Sequence, residues 1–263
     1  MAKKEKRICK FCGKRTFLCK AHIVPKFCYL LKQNGKVIEI SSSGGIDRVY
    51  CQDGIKDRNI LCHRCDNDFG VYEDTVSDIL IKRLPRSQHQ ALDPRLGAYR
   101  PAPIYYLKLS KEEYGHVRKF FIATLWRMSI SGLESCKTIN LGYYEKTAFD
   151  ILKGNIPDIP ELFVPFIKKE IPTSFLNSAF RIRKFENFMG REAVVFNGAG
   201  YEFAITIDAT NQVRNQYTNS LTPDGIMAIE PGSIGIDGDI FNFYDDASKI
   251  WEVYTEAKKR MKS

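Results

Sequence analysis

Residues 60–67 read Ile60-Leu61-Cys62-His63-Arg64-Cys65-Asp66-Asn67, and residues 9–12 read Cys9-Lys10-Phe11-Cys12. Each segment holds a Cys-x-x-Cys pair, whose tight turn lets two thiolates reach one tetrahedral ion. Four of the eight cysteines fall in these two pairs. Where thiols stay reduced, paired knuckles of this kind bind zinc rather than form disulfides. Cys9, Cys12, Cys62 and Cys65 are therefore expected to enclose one structural Zn2+. Residues 13–61 separate the knuckles, more than a zinc ribbon carries, so the ion must join two segments across a large excursion. Cys19, Cys28, Cys51 and Cys136 are expected to be small buried hydrophobes.

Outward from the knuckles, residues 17–24 suit a strand that Pro25 ends, because proline cannot continue a ladder. A short helix over 26–32, a turn at Asn34-Gly35, a strand over 37–40, a flexible loop over 41–45 and a strand over 48–52 follow. After the second knuckle, Phe69, Tyr72, Val76, Ile79, Leu80 and Arg83 recur at helical spacing. Asp66 to Asp68 are read as the cap and first turn of that helix, and Pro85 as its stop. Leu92 to Pro103, with Pro94, Gly97, Pro101 and Pro103, reads as a linker. Beyond it Ser110 and Glu113 form a capping pair, and Val117, Phe120, Phe121, Thr124, Leu125 and Met128 mark a buried helix. Helices over 145–153 and 160–169 are expected, then a hairpin through 192–196 and 201–207 with its turn at Asn197 to Gly200, and a last helix from Ala247 to Arg260.

Composition limits the function classes. With 44% hydrophobic residues the chain can bury a sizeable core. No apolar run reaches the roughly 20 residues of a membrane span; the best candidate, 120–133, carries Arg127 in its middle. The basic start of the chain has no apolar stretch after it, so a cytoplasmic setting is expected. The net charge of +9 is concentrated: Lys3, Lys4, Lys6, Arg7, Lys10, Lys14, Arg15, Lys20 and Lys26 face Glu5 alone in residues 1–26. Such a concentration points to a polyanionic partner, with a solvated tail as the alternative. The basic cluster of Lys258, Lys259, Arg260 and Lys262 reads as an ordinary solvated helix end.

The order Cys9-Lys10-Phe11-Cys12, then Lys20-Ala21-His22-Ile23-Val24-Pro25-Lys26, then Ile60 to Asn67 resembles that of zinc-bearing HNH endonucleases of the ββα-metal fold, over residues 8–84. The segment Phe121 to Arg127 also looks like one that follows such a module in bacterial HNH proteins. The resemblance implies an α+β chain. Its parts would be a zinc-stapled HNH module over 1–91, a linker over 92–103, and a helical and β domain over 104–263 that recognises substrate or a protein partner.

In that family a histidine at the end of the first strand is the general base, and His22 matches it. One Mg2+ or Mn2+ would be held beside it. Many family members carry an acidic ligand just before the histidine, where this chain has Ala21, and a histidine after the second knuckle, where it has Asp66. A carboxylate oxygen suits Mg2+. Asp66 and Asn67 are thus the candidate ligands of the catalytic ion. Glu73, about 10 Å along a helix from Asp66, is read as a structural carboxylate. The orienting asparagine of the motif falls between Asp57 and Asn59, of which Asn59 is the candidate. Lys3, Lys4, Lys6, Arg7, Lys20, Lys26 and Arg64 are the candidate nucleic-acid contacts. The implied activity is phosphodiester hydrolysis, of DNA first, and the implied role is defence against foreign DNA. The alternatives are a non-catalytic zinc-stapled nucleic-acid-binding protein and an RNase or toxin acting on RNA.

Overall fold

A computed structural model describes residues 5–29, 36–40, 46–51, 54–84, 89–93, 98–169, 179–180, 182–188, 191–207 and 220–231. The helix expected over 247–260, the turn at 34–35, the loop over 41–45, and Lys3 and Lys4 lie outside these residues. The chain has mixed helices and sheets, of the α+β class. No helix among the described residues is long and apolar enough to cross a membrane.

Three short ladders build the N-terminal part. Strands β1 (Arg7–Ile8) and β2 (Arg15–Thr16) form an antiparallel ribbon around the first knuckle. Strand β3 (Ala21–His22) pairs antiparallel with β6 (Lys56–Asp57). Between them in sequence, β4 (Lys36–Ile40) and β5 (Ile46–Cys51) make a hairpin that β10 (Ala179–Phe180) joins in parallel. Helix α1 (His63–Ser77) starts directly at the second knuckle and continues into a π-helical turn over Asp78–Arg83. The expected cap at Asp66 to Asp68 is thus four residues late. Cys62 is the N-cap and its carbonyl accepts from the Asp66 N–H at 3.0 Å, so the knuckle itself is the first helical turn.

Helix α2 (Lys111–Ile130) begins at Ser110, whose hydroxyl accepts from the Glu113 N–H while the Glu113 carboxylate accepts from the Ser110 N–H. Its middle is buried all round because it lies between two layers. On one side Trp126 meets Phe69 of α1 and Phe149 of α3 (Tyr143–Lys153). On the other, Phe120 and Phe121 meet Phe203 of the large sheet. That sheet joins β7 (His89–Asp93), β8 (Ala98–Lys108), β9 (Pro165–Lys169), β11 (Ile182–Phe188), β12 (Arg191–Gly198), β13 (Tyr201–Thr206) and β14 (Ile226–Pro231). Their order is β11-β12-β13-β9-β14-β8-β7, antiparallel except where β14 runs parallel to β9.

Two sequence expectations give way here. Of residues 92–103, expected as a linker, 92–93 belong to β7 and 98–103 to β8; Pro101 and Pro103 fall where the register slips between Gln90↔Ile104 and Leu92↔Tyr99, a bulge that needs no proline N–H. Residues 160–169, expected as a helix, end instead in strand β9. The buried guanidinium of Arg118 collects the carbonyls of Ile159, Leu162 and Phe163, which a helix would need for itself. It also forks onto Asp158 at 2.7 and 2.9 Å.

The tip of the β12–β13 hairpin docks against the N-terminal part. Ala199 and Gly200 both adopt positive φ, 53° and 80°, as a tight two-residue hairpin turn requires. The Ala199 N–H donates to the Cys28 carbonyl at 2.8 Å, in the short 3-10 helix Lys26–Tyr29 that follows His22. A Cβ on Gly198 would lie 2.9 Å from the Cys28 Cα and carbonyl oxygen. Gly198→Ala is therefore expected to destabilise the protein by about 1–3 kcal/mol through overpacking against backbone. Urea denaturation measures it, and an unchanged midpoint would mean that the contact yields freely.

Candidate metal centre and its neighbouring ionisable cluster

The sulfurs of Cys9, Cys12, Cys62 and Cys65 lie within 4.8 Å of one another, with Cys12 Sγ and Cys62 Sγ 3.9 Å apart. Tetrahedral zinc at its usual sulfur distance would separate its ligands by about 3.8 Å. The four cysteines could thus hold an ion such as zinc. The first knuckle is a backbone turn: the Cys9 N–H donates to the Lys14 carbonyl at 3.0 Å and the Gly13 N–H to the Cys9 carbonyl at 2.9 Å. Gly13 takes φ 71°, which favours glycine. The two knuckles are tied by the Lys10 N–H on the Ile60 carbonyl at 2.8 Å. Phe11, inside the first knuckle, packs edge-on against Phe69, Trp126 and Phe149, so α1, α2 and α3 all hold the knuckle.

Burial pushes the Cys9 thiol up, but N–H donors from Cys12, Cys62 and Phe11 outweigh it and bring the thiol down to about 7. Burial and the neighbouring thiols push Cys65 up instead. Four crowded sulfurs cannot all ionise without a cation between them, and that is the electrostatic argument for a metal.

His22, on β3, stands opposite Lys56 of β6; Ala21 stands opposite Asp57. The ladder extends on both sides, through the Ile23 N–H on the Ile55 carbonyl at 3.0 Å and the Cys19 N–H on the Leu61 carbonyl at 2.9 Å. His22 is half-buried, with Nε2 enclosed. Asp66, in the first turn of α1, is also half-buried. Burial raises its carboxyl above the usual range, against the Arg127 guanidinium, a hydrogen bond from the Cys19 thiol, and the charges of His63 and Lys56. The Cys19 thiol, buried and beside the Asp66 carboxylate, is pushed up to about 12. Lys56 thus links the two candidates, as the partner of His22 in the ladder and as a charge felt by Asp66.

The other candidates are distributed as follows. Asn67, Arg64, Lys20 and Lys26 are exposed, as are Lys6 and Arg7. The Asn59 amide oxygen accepts from the Arg7 guanidinium, which commits that side chain to the ribbon. Asp57, the other position considered for the motif's asparagine, is buried: it accepts from the Asn59 N–H at 2.8 Å, the Ser131 hydroxyl at 2.9 Å and the Gly132 N–H at 3.2 Å. It fastens β6 to the end of α2. Glu73 pairs with Arg127 at 2.7 Å, in keeping with a structural carboxylate. Cys19, Cys28 and Cys136 are buried as expected, while the Cys51 side chain lies outside the described residues.

Arg127 is the residue whose role the sequence reading missed. Its side chain is 1% exposed, lies 5.7 Å over the Phe69 ring, and pairs with Glu73 between its neighbours on α1. A charged residue inside the apolar run 120–133 was the available signal, since a buried guanidinium requires a partner. Arg127→Leu is expected to cost about 1–3 kcal/mol by leaving the half-buried Glu73 carboxylate unpaired, and Arg127→Leu with Glu73→Leu to recover most of it. Denaturant titration of the two variants checks this; equal losses would refute the pairing.

Cys62→Ser is expected to release the bound metal and unfold the N-terminal part, because closed thiolate sites carry folding energy. Elemental analysis with circular dichroism reads both, and full metal retention would refute the four-sulfur site. Among models of protein families, curated proteins and solved structures, none matches the chain.

Proposed function

We propose that the chain is a metal-dependent endonuclease of the HNH type, hydrolysing phosphodiester bonds of DNA. The observation that carries this reading is the order β3, β6, α1, closed by the four-cysteine cluster, with His22 opposite Lys56 and Asp66 at the start of the helix. Hydrolysis needs a base for water, positive charge at the scissile phosphate, and stabilisation of the leaving 3′-oxygen. His22 accepts the proton of the attacking water, the general-base task that imidazole most often performs. Asp66 would hold the catalytic divalent ion, with Asn67 as its second candidate donor. Mg2+ or Mn2+ there would supply the charge that stabilises the leaving oxygen. Lys56, Lys20, Lys26 and Arg64 position the backbone. Zinc on the four cysteines would be structural.

A second reading, a non-catalytic nucleic-acid-binding protein, is favoured by one feature. Ala21, where many HNH proteins have an acidic ligand, is fully buried and offers no donor, and Asn59 is committed to Arg7. A third, an RNase, follows from the same chemistry on another substrate. Defence against foreign DNA remains a role proposed from the resemblance of the motif. Residues 104–263 are proposed to carry substrate or partner recognition as well as support.

Cleavage of supercoiled plasmid with Mg2+ or Mn2+, alongside an RNA of similar length, separates the three. His22→Ala is expected to lower cleavage by ~10² to 10⁴-fold while zinc content and DNA affinity stay near wild type. Asp66→Ala is expected to raise the metal concentration needed. Cleavage undiminished in His22→Ala would remove that residue from the mechanism, and no cleavage by the parent protein would favour the binding reading.

A further inference from the structure

We propose that the outward face of the β1–β2 ribbon, formed by Lys6, Ile8, Arg15 and Phe17, is a docking surface for duplex DNA. The inference rests on the nucleic-acid substrate of the preceding reading and names the surface that meets it. The register fixes the two faces. Arg7 is opposite Thr16, Ile8 is opposite Arg15, and the Cys9 N–H reaches the Lys14 carbonyl. Side chains alternate along a strand and cross-strand pairs share a side, so Ile8 and Arg15 face one way with Lys6 and Phe17. Lys6 Nζ indeed lies 5.8 Å from the Phe17 ring centroid. The other face holds Arg7, bonded to Asn59, and Cys9, buried in the sulfur cluster. One face is thus anchored and the other is open.

The open face combines cation and apolar surface in a way that a solvated tail does not. Ile8 is 64% exposed and Phe17 49% exposed, two of the four large exposed hydrophobic residues among those described. Lys6 and Arg15 stand beside them, and Lys10, Lys14 and Lys20 are exposed around the ribbon, with Glu5 the only acid in residues 5–20. Charge complementarity selects a polyanion. A two-stranded ribbon has the width that the major groove of duplex DNA admits, where cations meet phosphates and apolar side chains meet sugars and the thymine methyl. The knuckle turn and the Arg7–Asn59 bond hold the ribbon in place, so little ordering is required on binding.

The test is duplex binding by the full chain in its zinc-loaded form, with Ca2+ in place of Mg2+ to prevent turnover, over a range of salt. The probes are a random-sequence duplex and its single strand. Lys6→Gln with Arg15→Gln should flatten the slope of log K against log salt by roughly 0.9 per lost contact. Ile8→Ser and Phe17→Ser should each weaken duplex binding by about 5- to 30-fold with the slope unchanged. Zinc content equal to the parent's verifies that each exposed-site variant is folded. Unchanged affinity in both serine variants, or an unchanged slope in the double glutamine variant, overturns the surface. Equal losses on single strand and duplex overturn the duplex assignment. Parent protein that binds no duplex sinks the surface and the DNA reading together. The expected losses without any plasmid cleavage in Mg2+ would leave the surface standing and sink the nuclease reading alone.

Discussion

The backbone of the N-terminal part depends on bringing four sulfurs, from residues 9–12 and 62–65, to within 4.8 Å of one another. Phe11, wedged against Phe69, Trp126 and Phe149, holds the first knuckle in the same place. Strands β1, β2, β3 and β6 have two residues each, too short to hold a ladder by themselves. With the sulfur cluster closed, the Lys10 N–H reaches the Ile60 carbonyl and the Cys19 N–H the Leu61 carbonyl, and the short ladders become one continuous edge. His22 sits on that edge opposite Lys56, and Asp66 follows one residue after the last cysteine. The position of the candidate carboxylate is therefore tied to the sulfur cluster through Cys65.

Buried charge gives the second level of organisation. Arg118 and Arg127 lie on the same helix, nine residues apart in sequence, and both are buried. Arg118 gathers three carbonyls and Asp158, which shapes the approach to β9. Arg127 pairs with Glu73, which fixes α1 against α2. A desolvated guanidinium tolerates few arrangements, because each unfilled donor costs free energy. These two residues thus specify where α2 lies as firmly as its aromatic side chains do.

The local features of the fold were legible in the sequence where local chemistry decides them. The Cys-x-x-Cys spacing, the Ser110–Glu113 capping pair and the β12–β13 hairpin each depend on residues close in sequence, and each formed. Expectations failed where a distant partner decides. The apolar text of 160–169 suits a helix until Arg118, some 40 residues away, takes its carbonyls. Pro101 and Pro103 read as part of a linker until a bulge in the β7–β8 pairing accommodates them. The candidate site divides in the same way. Cysteine spacing is local and came through, whereas the engagement of Asn59 by Arg7 and the burial of Asp57 against Ser131 are tertiary facts without a local signature.

Those tertiary contacts also constrain the direction from which the proposed polyanionic substrate could approach. Behind the β3–β6 ladder, the Asp57 carboxylate is covered by Ser131 and Gly132, the Cys28 carbonyl by the β12–β13 tip, and the Leu80 carbonyl by the Tyr201 hydroxyl at 2.7 Å. The large sheet and α2 fill that side. Lys20, Arg58, His63, Arg64 and Asn67 are exposed, and so are the cations of the ribbon. Positive potential and solvent access therefore coincide along the knuckles and the start of α1, while the opposite side is packed protein. On the proposed reading, a backbone that followed this basic stretch from the ribbon would meet Lys20, Arg58 and Arg64, whereas the N-terminus of α1 is turned to the sulfur cluster, with the Cys62 N–H on the Cys9 sulfur at 3.4 Å. If the proposed substrate binds there, the ribbon, the sulfur cluster and Asp66 would lie along its path, because the tip of the β12–β13 hairpin and the end of α2 already occupy the polar groups on the other side.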